Sequence, residues 1–133
     1  MSRQYVKYKN KWAVFSSIVD GFITKIMTEQ DIDRWREKEY GKNLRPKECT
    51  LINLEDALYS LRLNRTHDES VEELIETGFD KKESERLIYE LENKYYNPKE
   101  RVGKYYCPNC GLEVKYGQIR CLDETCEMEL IWR

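Results

Sequence analysis

The chain has 133 residues, a formal net charge of -2 and a mean hydropathy of -0.84, with 36% charged and 12% aromatic residues. That length allows one body plus a small module, and the aromatic content separates the chain from disordered polyelectrolytes. No apolar run approaches the ~20 residues of a membrane span. Met1-Ser2-Arg3-Gln4-Tyr5 passes straight into alternating polar and apolar positions, so no signal segment and a reducing cytoplasm are expected.

Taken in order, residues 5–8 and 12–19 alternate or run apolar, with Lys9-Asn10-Lys11 as a turn between them. Asp20-Gly21 then stands between the apolar pairs Ile18-Val19 and Phe22-Ile23, the strongest short-range hairpin signal, since both turn residues tolerate positive φ. An antiparallel β-meander of three strands is expected, ending near Met27. Its basic residues Arg3, Lys7, Lys9, Lys11 and Lys25 read either as a phosphate-binding edge or, preferably, as charges that keep an edge strand from pairing with another chain.

Short helices follow. Thr28 with an acid three residues later opens the first, Ile32 and Trp35 supply its apolar side, and Gly41 is placed to end it. Residues 42–47, with Pro46, read as a loop, and Cys49 beyond it as a buried or merely free thiol. Leu54, Ala57, Leu58 and Leu61 form one apolar stripe on a second helix starting at Asn53. Val71, Leu74 and Ile75 mark a third that stops at Gly78, and Leu87, Ile88 and Leu91 a fourth. The run Val71-Glu72-Glu73-Leu74-Ile75-Glu76-Thr77-Gly78-Phe79-Asp80 resembles the first helix and Gly-Phe loop of ubiquitin-associated-like helical domains. That resemblance implies a protein-docking loop at Gly78 and Phe79; a helical hairpin packed on the sheet accounts for the same residues. Asn97-Pro98 breaks the chain, so residues 1–96 are read as an α+β body and residues 97–104 as a linker.

Catalytic motifs are missing from the sequence. The single histidine, His67, lies in Arg65-Thr66-His67-Asp68-Glu69, where a polar loop and a helix cap account for every residue. There is no phosphate-binding glycine loop, GxSxG elbow or HExxH. A nuclease that gathers magnesium with scattered carboxylates would leave no mark in spacing and stays open as an alternative.

Four of the five cysteines cluster near the end of the chain. Two residues separate Cys107 from Cys110, four separate Cys121 from Cys126, and ten lie between the pairs. In a reducing compartment such pairs read as metal ligands, because two short turns can each offer two thiolates to one tetrahedral ion. Cys107, Pro108, Cys110 and Gly111 resemble the first turn of a rubredoxin-type zinc ribbon; the second turn encloses four residues where that family has two. The resemblance covers residues 105–133 and implies Cys107, Cys110, Cys121 and Cys126 as ligands to zinc. Iron in a rubredoxin-like electron carrier is compatible with the same thiolates. Four thiolates close the coordination sphere and leave no position for a substrate, so a structural site is expected.

Charge orders the functional classes. Residues 1–27 carry five basic side chains against one acidic, residues 48–92 five against thirteen, residues 93–106 four against one, and residues 107–133 three against five. Four thiolates around a divalent ion add a further charge of about -2. Nucleic-acid affinity comes largely from Lys and Arg meeting phosphates, so an acidic ribbon beside an acidic helical region favours a protein partner. The expected reading is a non-catalytic interaction module whose partner surface is the ribbon residues Tyr116, Ile131 and Trp132 with the helical acids Glu72, Glu73 and Glu76. Along residues 127–133, Met128, Leu130 and Trp132 share one face and Ile131 the other. The alternative is weak nucleic-acid binding through the N-terminal basics and Lys99, Arg101 and Lys104, with Tyr105 and Tyr106 stacking on bases. Alanine occurs only at 13 and 57, which points to an AT-rich genome and accords with a phage or mobile-element origin.

Overall fold

The computed structural model describes residues 3–42 and 44–133, so the expectations touching Met1, Ser2 and Asn43 fall outside it. The protein is α+β and divides into two compact units, Met1–Ile88 and Tyr89–Arg133.

In the first unit, β1 (Arg3–Tyr8) and β2 (Lys11–Ser16) pair antiparallel through a two-residue turn. Lys9 and Asn10 both take positive φ there (48° and 62°), the turn whose twist matches paired strands. β2 stops at Ser16, earlier than its apolar run implies, because Ile18 and Val19 sit exposed in the connection to β3 (Gly21–Phe22). Asp20 supplies the positive φ of that connection (49°), whereas Gly21 already pairs with Ser16. The Asp-Gly signal therefore marks the hairpin but misplaces its turn. The chain continues along β2 to an isolated bridge between Trp12 and Met27, as the meander expectation requires.

The sheet is mixed and not purely a meander. β4 (Leu51–Ile52) runs parallel to β1, giving the order β3-β2-β1-β4. β1 is thus an inner strand, and its lysines do not guard an edge. Lys7 lies over the Trp12 ring at 5.6 Å, and Lys9 reaches Glu83 at 2.9 Å.

α1 (Glu29–Tyr40) begins at Thr28, whose hydroxyl accepts the Asp31 N–H at 3.2 Å, and buries Ile32 in a cluster with Tyr5, Trp12 and Val14. A 3₁₀ turn (Lys47–Thr50) carries Cys49, which is free and exposed. Asn53 caps α2 (Leu54–Leu63), burying Ala57, Leu58 and Leu61. A full capping box between Thr66 and Glu69 opens α3 (His67–Thr77), so His67 is explained as the first helical residue.

Gly78 ends α3 in a left-handed conformation. Its N–H meets the Ile75 carbonyl, and the Phe79 N–H meets that of Leu74, the hydrogen-bond pair that closes a Schellman cap. Phe79 is 6% exposed, with its ring 5.6 Å from Tyr8 and 6.3 Å from Phe22. The Gly-Phe element is therefore a packing device of the first unit and not an exposed docking loop. A Cβ on Gly78, with φ at 116°, would approach Ile26 Cγ2 to 2.7 Å. Gly78→Ala should accordingly cost about 2 kcal/mol in urea unfolding; an unchanged midpoint would show that the cap relaxes freely.

α4 (Lys81–Tyr95) carries the boundary between the units. Residues 97–104, expected as a linker, belong to the second unit, where β5 (Lys99–Arg101) pairs antiparallel with β6 (Lys104–Tyr106), which in turn pairs with β7 (Glu113–Val114). The core of this unit is Tyr96, Cys107, Val114, Cys121, Met128 and Leu130. No helix among the described residues is long and apolar enough to cross a membrane.

Candidate metal centre

The first turn follows β6 directly. Cys107 N–H donates to the Leu112 carbonyl at 2.8 Å and Gly111 N–H to the Cys107 carbonyl at 3.0 Å, folding residues 107–112 into a knuckle. Gly111 takes φ 79°, which reverses the chain after Cys110.

The second turn reaches the same geometry by another route. Asp123 Oδ1 accepts the Thr125 N–H at 2.9 Å and its hydroxyl at 2.7 Å, and the Asp123 carbonyl accepts the N–H groups of Cys126 and Glu127 at 3.0 Å each. The two extra residues of this knuckle are thus absorbed by a local Asx turn. Donation from Thr125 holds the Asp123 carboxyl below its usual range. The turn is bracketed by Cys121 N–H to the Met128 carbonyl at 2.9 Å and a bridge between Arg120 and Glu129.

Together the knuckles place four sulfurs within 4.8 Å of one another. Cys107 and Cys126 are 3.7 Å apart and Cys110 and Cys121 3.5 Å. A tetrahedral ion with metal–sulfur bonds of ~2.3 Å needs sulfur–sulfur edges of about 3.8 Å. All four cysteines are free, and the spacing far exceeds the ~2.05 Å of a disulfide. The four cysteines are therefore positioned to bind a metal ion.

Their protonation is set by different surroundings. Burial pushes the Cys121 thiol up to about 12 and also raises Cys107. Burial acts the same way on Cys126, but hydrogen bonds outweigh it, led by the Asn109 amide at 3.3 Å, and bring that thiol down to about 7. A bound cation favours thiolate at every position, so loading displaces protons from the buried thiols.

The other expected site residues fall in two places. Tyr116 is 77% exposed, and its ring touches Tyr105 at 5.5 Å and Trp132 at 5.2 Å. Trp132 is half-buried, donating Nε1–H to the Gln118 carbonyl at 2.8 Å. Met128 and Leu130 are buried as the alternation of the last segment requires, while Ile131 is half-buried and bonded through its N–H to Tyr96. Neither Trp132 nor Ile131 is thus a freely exposed anchor. Glu72 and Glu76 are exposed on α3 in the first unit, whereas Glu73 is half-buried and lies 3.8 Å from Arg65. Tyr105, which the sequence offers only as a base-stacking residue, completes the aromatic cluster, brought there by its pairing with Val114 on β7.

Compared with family models, curated proteins and solved structures, the chain finds no match, so its function rests on the chemistry of these four thiols and the surfaces around them.

Proposed function

We propose that the chain is a non-catalytic, zinc-binding protein-interaction module, a small regulator or inhibitor that acts on a larger protein machine in the cytoplasm, of phage or mobile-element origin. Zinc is the ion of choice because it accepts four thiolates without redox chemistry or a geometric preference of its own. With four sulfurs drawn together, the centre has no open position for a reacting group and supports the fold around it.

The observation that carries the interaction role is Tyr116. A ring that is 77% exposed, yet braced by two neighbouring rings, is a rigid amphipathic anchor on a metal-stiffened module. Large aromatic side chains of this kind dominate binding energy at interfaces. The acids Glu72, Glu73 and Glu76 supply a separate candidate contact on α3.

Affinity capture from the native host, with and without nuclease treatment, identifies the partner by mass spectrometry. Tyr116→Ala should then weaken capture by about 2 kcal/mol while leaving zinc content and melting temperature intact. Trp132→Ala should instead lower the melting temperature, because its ring and its bonded N–H are part of the module's packing. Full affinity in Tyr116→Ala, with loss on reversing the charge of Glu72 and Glu76, would move the interface to α3.

A further inference from the structure

The register of the β5–β6 hairpin divides its side chains between two faces. Lys99 opposes Tyr106 and Arg101 opposes Lys104, so these four share one face. Glu100 opposes Tyr105 on the other, where the aromatic cluster with Tyr116 and Trp132 lies. The cationic face is distinct from the face used in the proposed protein contact.

Two features of the cationic face are unfavourable for folding alone. Arg101 and Lys104 are like charges directly opposite in the ladder, an arrangement that weakens strand pairing. They are held together by a two-residue turn in which Val102, a β-branched and fully exposed residue, adopts φ 52°. Lys104 stands 3.7 Å from Glu113, which opposes Tyr106 on the same face, and Lys99 donates to the Lys94 carbonyl, whereas Arg101 has no ion pair or side-chain hydrogen bond among the described residues. An anion beside Arg101 supplies the counter-charge that Lys104 already has in Glu113.

The face opens into a cleft of about 550 Å³ lined by Lys99, Arg101 and Tyr106 at the hairpin and by the first cysteine turn, Cys107 and Cys110 included; Lys104 lies on the hairpin outside it. We infer that this cleft and hairpin face bind the phosphate backbone of a single-stranded nucleic acid, with Tyr106 as a stacking surface for a base. Cations beside an aromatic ring in an open groove are the recurring elements of strand binding without sequence preference. An acidic peptide would meet the same cations but has no use for the ring. Among the N-terminal basics, Lys9 is held 2.9 Å from Glu83. The tetrathiolate at the knuckle end of the cleft and Glu113 beside Lys104 contribute negative charge, which keeps the affinity modest and centres phosphate contact on Arg101.

Fluorescence anisotropy of the zinc-loaded full chain with labelled oligothymidylate of about fifteen nucleotides tests the assignment. At about 50 mM salt binding should saturate, and with three cations engaged the logarithm of the affinity should fall against the logarithm of salt with a slope of about -2. Arg101→Gln with Lys104→Gln should weaken binding roughly tenfold or more, without loss of zinc, while Lys9→Gln with Lys11→Gln changes it less than about twofold. Tyr106→Leu, which keeps the apolar bulk, should lose at least about fivefold. Absence of saturable binding, equal binding by the hairpin variant, tighter binding of a duplex of the same length, or equal competition by polyglutamate would each overturn the proposal. The protein-capture result with Tyr116→Ala is independent of all four.

Discussion

Cys121→Ser should empty the metal centre and unfold the second unit. Protein purified without added metal should hold about one zinc per chain, and the variant close to none. Zinc at such sites contributes on the order of 10–16 kcal/mol in isolated peptides, far more than the apolar burial available to a small module. Here the reason is visible in the core itself: two of its six buried members, Cys107 and Cys121, belong to the four-cysteine cluster positioned to bind the ion. Removing the ion leaves Tyr96, Val114, Met128 and Leu130 to hold three two- or three-residue strands. Loss of zinc should therefore come with loss of the near-ultraviolet signal of Trp132 and with protease sensitivity in residues 97–133. Cys49→Ser should leave the zinc content unchanged, since Cys49 sits exposed on the 3₁₀ turn of the first unit. Because protons compete for all four sulfurs, acidification should release the metal. A Cys121→Ser protein that retained a full equivalent would remove the assignment, and a coloured protein with sulfur-to-iron charge-transfer bands would replace zinc by iron.

Arg133→Ala should destabilise the second unit by about 3 kcal/mol. Glu92, on the last turns of α4, is fully buried, and Arg133 Nη2 stands 2.9 Å from its carboxylate. Two further contacts fix the guanidinium, and a third holds the backbone of the same residue. It stacks over the Tyr89 ring at 4.1 Å, donates Nη1–H to the Tyr89 carbonyl at 3.2 Å, and its backbone carbonyl accepts from Asn97 at 3.3 Å. Taking the cation away leaves a buried carboxylate short of its counter-charge, which costs more than the pair itself is worth. Glu92→Gln should therefore be milder than Arg133→Ala, and the double variant less damaging than the sum of the two. Arg133→Lys should rescue little, because an ammonium cannot both stack and span two acceptors. Urea unfolding of the zinc-loaded protein measures all four variants. An Arg133→Ala protein within about 0.5 kcal/mol of the parent would mean that the remaining contacts of Glu92 suffice.

What the sequence by itself determined is what neighbours a few residues apart decide. Thr28 and Asn53 announce helix starts because a cap needs only a side-chain oxygen within three residues of an unbonded N–H, and each is found capping. Gly78 announces a helix end for the same local reason. The cluster of four cysteines was legible because thiolate chemistry and close spacing restrict each pair to one short turn. The longer second turn still closed, through Asp123 and Thr125. Tertiary structure decided the remainder. β4 is two residues long and pairs with a strand more than forty positions away, so no local pattern marks it. The β5–β6 hairpin hides in a charged stretch after Pro98, with Val102-Gly103 where a turn signal would have Asn-Gly. Phe79 looks like an exposed loop residue until the rings of Tyr8 and Phe22 cover it. Charge was the least legible of all. A count of lysines and arginines says nothing of which meet a carboxylate, and it is the fold that places Arg3 and Lys9 within ion-pair reach of Glu39 and Glu83 while leaving Arg101 opposite another cation. Caps and ligand turns are fixed by bonds along the chain; pairing, burial and charge compensation are fixed by contacts between segments that only the folded chain brings together.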